Sequence, residues 1–286
     1  MNRWITGARP RTLPAAVVPV AVGAAAAVGE PGDVVWWRVG AALIVSVSLQ
    51  VGVNYANDYS DGVRGTDDVR VGPTRLVASG LASASSVKKA AFASFGVAAV
   101  AGLAIALSTS LVLLLVGVAA IAAGWFYTGG PKPYGYLGLG EVFVFVFFGL
   151  VATAGTTYAA IEAVTALSLV MGSAVGSLAC ALLVINNLRD IPTDREVGKR
   201  TLAVRLGDQR TRWFYVVLIA LAFALCGAGA FWQVSVLIGF LAVPLAIAPV
   251  RAVLGGATDR NLIPVLGATG KLQLAWGLLI TIGLVL

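Results

Sequence analysis

Two short segments hold the side chains best able to do chemistry. The first reads Asn54-Tyr-Ala-Asn57-Asp58-Tyr-Ser-Asp61, with Asp67 and Asp68 soon after. The second reads Asn186-Asn187-Leu-Arg-Asp190-Ile-Pro-Thr-Asp194, with Glu196 close behind. In each, an Asn precedes an Asp by four residues: Asn57 and Asp61, Asn186 and Asp190, with Asn54 and Asp58 as a second phase of the first. Residues four apart share one helix face, so each segment presents an amide beside a carboxylate. Two such ends facing each other form a carboxylate cage, and carboxylates that close repel unless a cation sits between them. The chain has no histidine, so His-ligated zinc, haem and Ser–His or Cys–His nucleophile pairs are excluded. Oxygen ligands alone point to a hard cation. Magnesium takes one or two carboxylates and completes its octahedron with water and phosphate oxygens; no EF-hand loop speaks for calcium. The expected metal set is Asp58, Asp61, Asp67, Asp190 and Asp194.

Bases surround the acids. Arg64, Arg70 and Arg75 follow the first segment; Lys199, Arg200 and Arg205 follow the second. Arginine grips phosphate through two N–H groups and lysine meets it as a point charge. Carboxylates for a metal beside cations for oxygens are what a diphosphate ester requires. Arg75, Lys199 and Arg200 are therefore candidate phosphate contacts, and Asn54, Asn57 and Asn186 candidate substrate contacts. The plainer alternative makes the bases topology signals and the acids solvated helix ends.

The elements that must position these segments are membrane helices. Of 286 residues, 59% are hydrophobic and 12% charged, about half the charge of a soluble domain. Nine apolar runs approach the roughly 20 residues that cross a bilayer: 12–29, 35–57, 87–107, 111–128, 138–158, 164–188, 213–231, 234–252 and 268–286. The fold class expected is all-α and integral to the membrane, one domain over 1–286. With the N-terminus inside, only Arg38 of the 20 Lys and Arg falls outside. That asymmetry follows the positive-inside rule and accounts for the net charge of +7 without nucleic acid. Both acidic segments then lie on the inner, cytoplasmic face of the cell membrane. Cys180 and Cys226 sit in apolar runs and imply no disulfide framework.

Four stretches, taken in order, resemble the UbiA superfamily of intramembrane prenyltransferases, and within it the 1,4-dihydroxy-2-naphthoate prenyltransferases of menaquinone biosynthesis. They are Ala8-Arg-Pro-Arg-Thr-Leu-Pro14; Asn57-Asp-Tyr-Ser-Asp61 with Gly72-Pro-Thr-Arg-Leu76; Tyr127-Thr-Gly-Gly-Pro-Lys132 with Gly138-Leu-Gly-Glu141; and Asn186-Asn-Leu-Arg-Asp190 through Gly207. The resemblance covers nearly the whole chain. It implies nine helices around a cavity, a magnesium cofactor, a polyprenyl diphosphate donor, and a naphthoate acceptor converted to demethylmenaquinone with loss of CO2 and diphosphate. The wider superfamily spaces its first motif Asn-xxx-Asp-xxx-Asp. Here the Asp after Asp61 is Asp67, two residues late, which resembles the naphthoate branch and leaves the division of labour among Asp58, Asp61 and Asp67 open.

On this reading Asp61 and Asp190 are catalytic, with Tyr127 and Lys132 on a Gly-Pro-rich inner loop. Arg11 or Lys132 partners the acceptor carboxylate. Tyr55, Tyr59 and Tyr134 lie near inner helix ends, and Phe143 to Phe148 enter the fifth run. Glu141 suits the positive end of a helix and is not taken as catalytic. Two rivals stand beside this. One is a prenyltransferase for another aromatic acceptor, such as 4-hydroxybenzoate. The other is a transporter, against which the nearly charge-free mid-helix regions speak.

Overall fold

The computed structural model describes residues 2–66 and 75–286, all helix, turn or coil without a strand. Seven helices among these are long and apolar enough to cross a membrane: α3 (Trp36–Arg64), α4 (Ala84–Ser108), α6 (Gly140–Ile161), α7 (Ala166–Arg189), α10 (Asp208–Gly229), α11 (Val234–Leu254) and α12 (Asp259–Val285). An eighth span forms if the bent pair Arg3–Thr12 and Pro14–Val28 counts as one. Its two parts, here α1 (Arg3–Ala8, with the turn to Thr12) and α2 (Pro14–Val28), meet at 51°. Pro10 and Pro14 bring no N–H to that junction, and Arg9 takes the left-handed conformation there. The fourth run, 111–128, gives α5 (Val112–Phe126), a helix of only 15 residues. At 1.5 Å per residue it is about 22 Å long, shorter than the ~30 Å hydrocarbon core. The expected nine spans thus correspond to nine apolar segments, of which one is bent and one is short. Between α7 and α10 lie two small helices, α8 (Ile191–Glu196) and α9 (Leu202–Leu206).

The last span starts earlier than its apolar run. α12 begins at Asp259, and its exposed Lys271 therefore stands about 18 Å along the helix.

Burial grades the helices by role. In α7, 72% of the best apolar window is buried, against 28% in α3 and α4. α7 is the central post, and α2, α6, α10 and α12 pack on it. α12 also packs on α2, bringing the last span against the first. Many large apolar side chains face outward, among them Val100, Leu115, Val118 and Leu241. In water these would be a liability; in lipid they are the solvent-facing surface. Trp36 and Trp37 stand exposed at the start of α3, where a membrane interface favours tryptophan.

Close packing of α6 on α7 depends on glycine. A Cβ on Gly149 would come 2.6 Å from Gly176 Cα and 2.7 Å from Gly172 O. Even a methyl would force the backbones apart, the usual logic of small residues between membrane helices. The same stretch of α6, Phe145–Val151, is wound as a π-helix, a form that often marks functional sites.

Two hydrophobic clusters result. The larger joins α2, α7, α10, α11 and α12 through residues such as Met171, Leu178, Tyr215 and Trp276. The smaller joins α3, α4 and residues 76–82 around Ala56, Leu76, Val87 and Phe95. The acidic segments stand at one end of the bundle, one beside each cluster.

Candidate active site

The first acidic segment is helical because α3 runs straight through it. α3 stops only at Gly65, whose φ of 71° is a left-handed cap that costs glycine little. Asn57 and Asp61 consequently share a helix face, as their spacing predicts. The second segment ends α7 at Asp190; Pro192 then opens α8, where its missing N–H is no loss.

Asp58 and Asp61, three residues apart, do different work. Asp58 is fully buried, and its two oxygens accept from the backbone N–H groups of Leu76 (2.8 Å) and Val77 (3.0 Å). Hydrogen bonds to a carboxylate are worth about 1.5–3 kcal/mol each. Asp58 thereby clamps the segment that begins at Arg75. Asp61, 4% exposed, accepts a 2.8 Å bond from the Tyr136 hydroxyl.

Tyr136 was not visible as a site residue in the sequence. Its hydroxyl holds Asp61 of the first segment, and its carbonyl accepts from Arg200 N (3.0 Å) beyond the second. Lys199 Nζ stands 5.2 Å from the Tyr136 ring centroid and 3.6 Å from Asp194 Oδ1. Arg64 faces the other end of this loop: its guanidinium donates to the carbonyls of Thr128 and Gly130 and lies 5.3 Å from the Tyr136 ring. Arg64 therefore holds the loop in place, a task different from the phosphate contact its position suggests.

The remaining expected residues divide between scaffold and site. Asn57 Oδ1 accepts from Thr128 Oγ1 at 2.8 Å, fixing the residue beside Tyr127. Asn54 donates to Ala8 O and Thr12 Oγ1 and accepts from Gln50, which ties the N-terminal turn to α3. Asn186 donates to Leu182 O within α7. Asp190 takes a two-pronged pair from Arg189, at 2.7 and 2.9 Å. Arg75 and Asp194 are buried at this end. Arg200 is exposed and Lys199 half-buried; with Arg195, Gly198, Val204 and Arg205 they line a cleft of about 530 Å³. Arg11 and Lys132 are exposed, and neither makes a hydrogen bond or ion pair among the described residues. Asp67 lies outside the described residues.

Tyr127 stands in the middle. Burial, then the charges of Glu141, Asp61 and Asp194 with the neighbouring Tyr134, hold its phenol well above the usual range, so it stays protonated. Burial does the same to Tyr134 and Tyr136, and Asp61 adds to it for Tyr136. From Tyr127 an aromatic line leads into the bundle: Tyr134 at 5.5 Å, Phe143 stacked on Tyr134 at 4.0 Å, and Phe147 at 6.1 Å from Phe143.

Among the described residues, no group of three or more His, Cys, Asp or Glu side chains is close enough to hold a metal. A five-carboxylate cage is therefore not assembled by these residues alone. What they present is one oxygen ligand or pair from each segment, beside cations. That donor set fits an ion that takes few protein ligands and shares the phosphate oxygens of its substrate.

This arrangement has relatives. The family model described as UbiA prenyltransferase family matches residues 16–264. The 1,4-dihydroxy-2-naphthoate octaprenyltransferase of Mycobacterium tuberculosis (strain ATCC 25618 / H37Rv) is 51% identical over 276 residues, covering 96% of this chain and 94% of its own. The Escherichia coli (strain K12) protein of the same name is 34% identical over 300 residues, covering 99% and 95%. A solved structure of a UbiA homolog from Archaeoglobus fulgidus bound to DMAPP and Mg2+ shares the fold at a TM-score of 0.62, with 17% identity over 98% of this chain and 99% of that one. An all-helical membrane bundle with two acidic segments at one end, matched over most of its length, makes this chain a member of the UbiA prenyltransferase family.

Proposed function

We propose that the chain transfers a polyprenyl group from its diphosphate to 1,4-dihydroxy-2-naphthoate, releasing diphosphate and CO2 and giving demethylmenaquinol, the reduced form that a separate two-electron oxidation converts to demethylmenaquinone. The observation that carries this reading is the 51% identity, over 96% of the chain, to a 1,4-dihydroxy-2-naphthoate octaprenyltransferase. The enzyme is a multi-pass protein of the cell membrane, a single domain with its N-terminus and active site on the cytoplasmic side.

The diphosphate lies between the two acidic segments. Asp61 and Asp194 would hold magnesium there, with Asp190 and, from its place in the sequence, Asp67 as further candidate ligands. When bound, the ion neutralises the charge that develops on the leaving diphosphate. Support for magnesium comes from the Archaeoglobus fulgidus homolog, which was solved with DMAPP and Mg2+. Arg75, Lys199 and Arg200 take up further phosphate charge, and the cleft beside them gives the released diphosphate a cationic way out. Asp58 serves by holding the segment that carries Arg75.

The allylic C–O bond breaks as this charge is stabilised, leaving a delocalised cation. Water would quench it, so the cation must face a dry wall. Tyr127, Tyr134, Phe143 and Phe147 supply one, each ring face worth roughly 0.5–2 kcal/mol to a cation. The electron-rich ring carbon of the acceptor attacks; departure of CO2 from that carbon restores aromaticity, so no strong base is needed. Lys132 or Arg11, both exposed, would meet the acceptor carboxylate only by moving inward.

The test uses protein purified into nanodiscs, a polyprenyl diphosphate, and either 1,4-dihydroxy-2-naphthoate or 4-hydroxybenzoate. Mass spectrometry follows the product and CO2 is measured in parallel. Prenylated naphthoquinol, detected as such or as the quinone formed by air oxidation, with matched CO2 release is expected. Product with 4-hydroxybenzoate alone would overturn the acceptor assignment.

A further inference from the structure

Glu141 is a buried carboxylate with half of its hydrogen-bonding capacity unused. It is 5% exposed, in the first turn of α6. Oε1 accepts from Asn187 Nδ2 at 2.9 Å. Oε2 is buried and has no hydrogen-bond partner, and no Lys or Arg pairs with either oxygen among the described residues. Leaving a buried acceptor unmade is expensive, more so for a charged one. The N-terminal end of α6 offsets part of that cost, but it gives Oε2 no donor. A group this costly to keep is best explained by a partner that arrives from outside the chain.

The surroundings indicate which partner. Asn187, which holds Oε1, lies between Asn186 and Asp190 of the second acidic segment. The Glu141 charge acts on the Tyr127 phenol, and the Tyr127 hydroxyl lies 3.5 Å from the point where a Cβ on the adjoining Gly140 would stand, so the phenol and the carboxylate are close. Phe143, two residues along α6, stacks on Tyr134. Glu141 thus stands where the aromatic line begins, one turn from the acidic segment. An aromatic wall beside a carboxylate with an unused acceptor suits a planar ring that carries a hydroxyl.

We infer that Glu141 Oε2 accepts a hydrogen bond from a ring hydroxyl of the aromatic acceptor, and so selects and orients acceptors that carry one. This rests on the proposed acceptor class. In 1,4-dihydroxy-2-naphthoate the 1-hydroxyl is engaged by the adjacent carboxylate, which leaves the 4-hydroxyl as the free donor. A hydrogen bond from that hydroxyl fixes the ring in place, so that the carbon bearing the carboxylate faces the allylic cation; no proton need leave. Sites built to bond a hydroxyl reject analogues lacking it far more strongly than apolar pockets reject a change of size.

The experiment compares wild type with Glu141→Gln in nanodiscs, using 1,4-dihydroxy-2-naphthoate and its 4-O-methyl ether. Gln retains an oxygen for Asn187 and replaces Oε2 by a donor, so folding is preserved, and a thermal melt checks this. The variant should raise KM for the dihydroxy acceptor by about 10- to 100-fold. KM for the prenyl diphosphate should stay within about twofold, and the wild-type preference for the hydroxyl over the ether should shrink at least tenfold. Tyr127→Phe, tested alongside, should keep that preference. Equal effects on both substrates, or an unchanged preference in Glu141→Gln, would overturn the inference. If wild type itself gives no product with the dihydroxy acceptor, the proposed function has failed instead, which the wild-type lane reads separately.

Discussion

The two ends of the bundle treat charge in opposite ways. At the end away from the acidic segments, Arg38 donates to Glu162 (2.8 Å), to Ser108 O (2.6 Å) and to Ala159 O (3.4 Å), and its side chain is 12% exposed. One cation there ties the start of α3 to the ends of α4 and α6. At the site end some charges are spent the same way. Asp58 is committed to Leu76 and Val77, Arg64 to Thr128 and Gly130, and Arg189 to Asp190. Others are held close without being consumed: Asp61 bears a single hydroxyl, Glu141 keeps an unbonded oxygen, and Lys199, Arg200, Arg195 and Arg205 surround a cleft. A charge that closes its own hydrogen bonds shapes the chain, and a charge kept near others with capacity to spare is available to a ligand. Neighbours in sequence can fall on either side of that line, as Asp58 and Asp61 do.

Substitutions can break the distinction at successive depths. Asp61→Asn should lower kcat/KM by about 10²–10³, the scale on which one preorganised electrostatic contact to a transition state is lost, while the melting temperature stays near wild type. Asp58→Ala should cost activity about 10- to 100-fold and should also lower the melting temperature, because two backbone N–H groups lose their carboxylate. A catalytic loss with an unchanged melt would instead put Asp58 among the substrate contacts. Tyr136→Phe removes the single bond to Asp61 and should cost about tenfold, as a bond to a charged group of about 1.5 kcal/mol predicts. Arg38→Ala should leave prenyl transfer within about twofold and lower the melting temperature by several degrees, at about 2–4 °C per kcal/mol for a chain of this size. A severe catalytic defect there would erase the contrast between the ends.

Much of this organisation was legible before any coordinates. The four-residue spacing in Asn57 and Asp61 survives because α3 continues unbroken to Gly65. Arg38 stands at the end of α3 opposite the acidic segment, as the charge asymmetry of the sequence suggests. Other features depend on chain returns that no local pattern encodes. Asp58 differs from Asp61 only because residues 76 and 77 fold back onto it. Tyr136 matters because the loop between α5 and α6 carries it between two segments more than a hundred residues apart. The apolar run at 111–128 holds a helix of only 15 residues that ends at Phe126, before the Gly129-Gly130-Pro131 break that bounds the run, and hydropathy does not mark that earlier end. Lys132, prominent in its motif, is exposed and among the described residues makes no hydrogen bond or ion pair that would have marked its role.

In the proposed function the two segments grip one diphosphate together, with magnesium. Binding of an unreactive polyprenyl thiodiphosphate to the nanodisc protein, with and without magnesium, measures this without any acceptor. Wild type should bind only with magnesium present, and Asp61→Asn and Asp194→Asn should each weaken binding at least tenfold and make it insensitive to the ion. Tight binding in EDTA, or full magnesium-dependent binding in either variant, would contradict the shared grip.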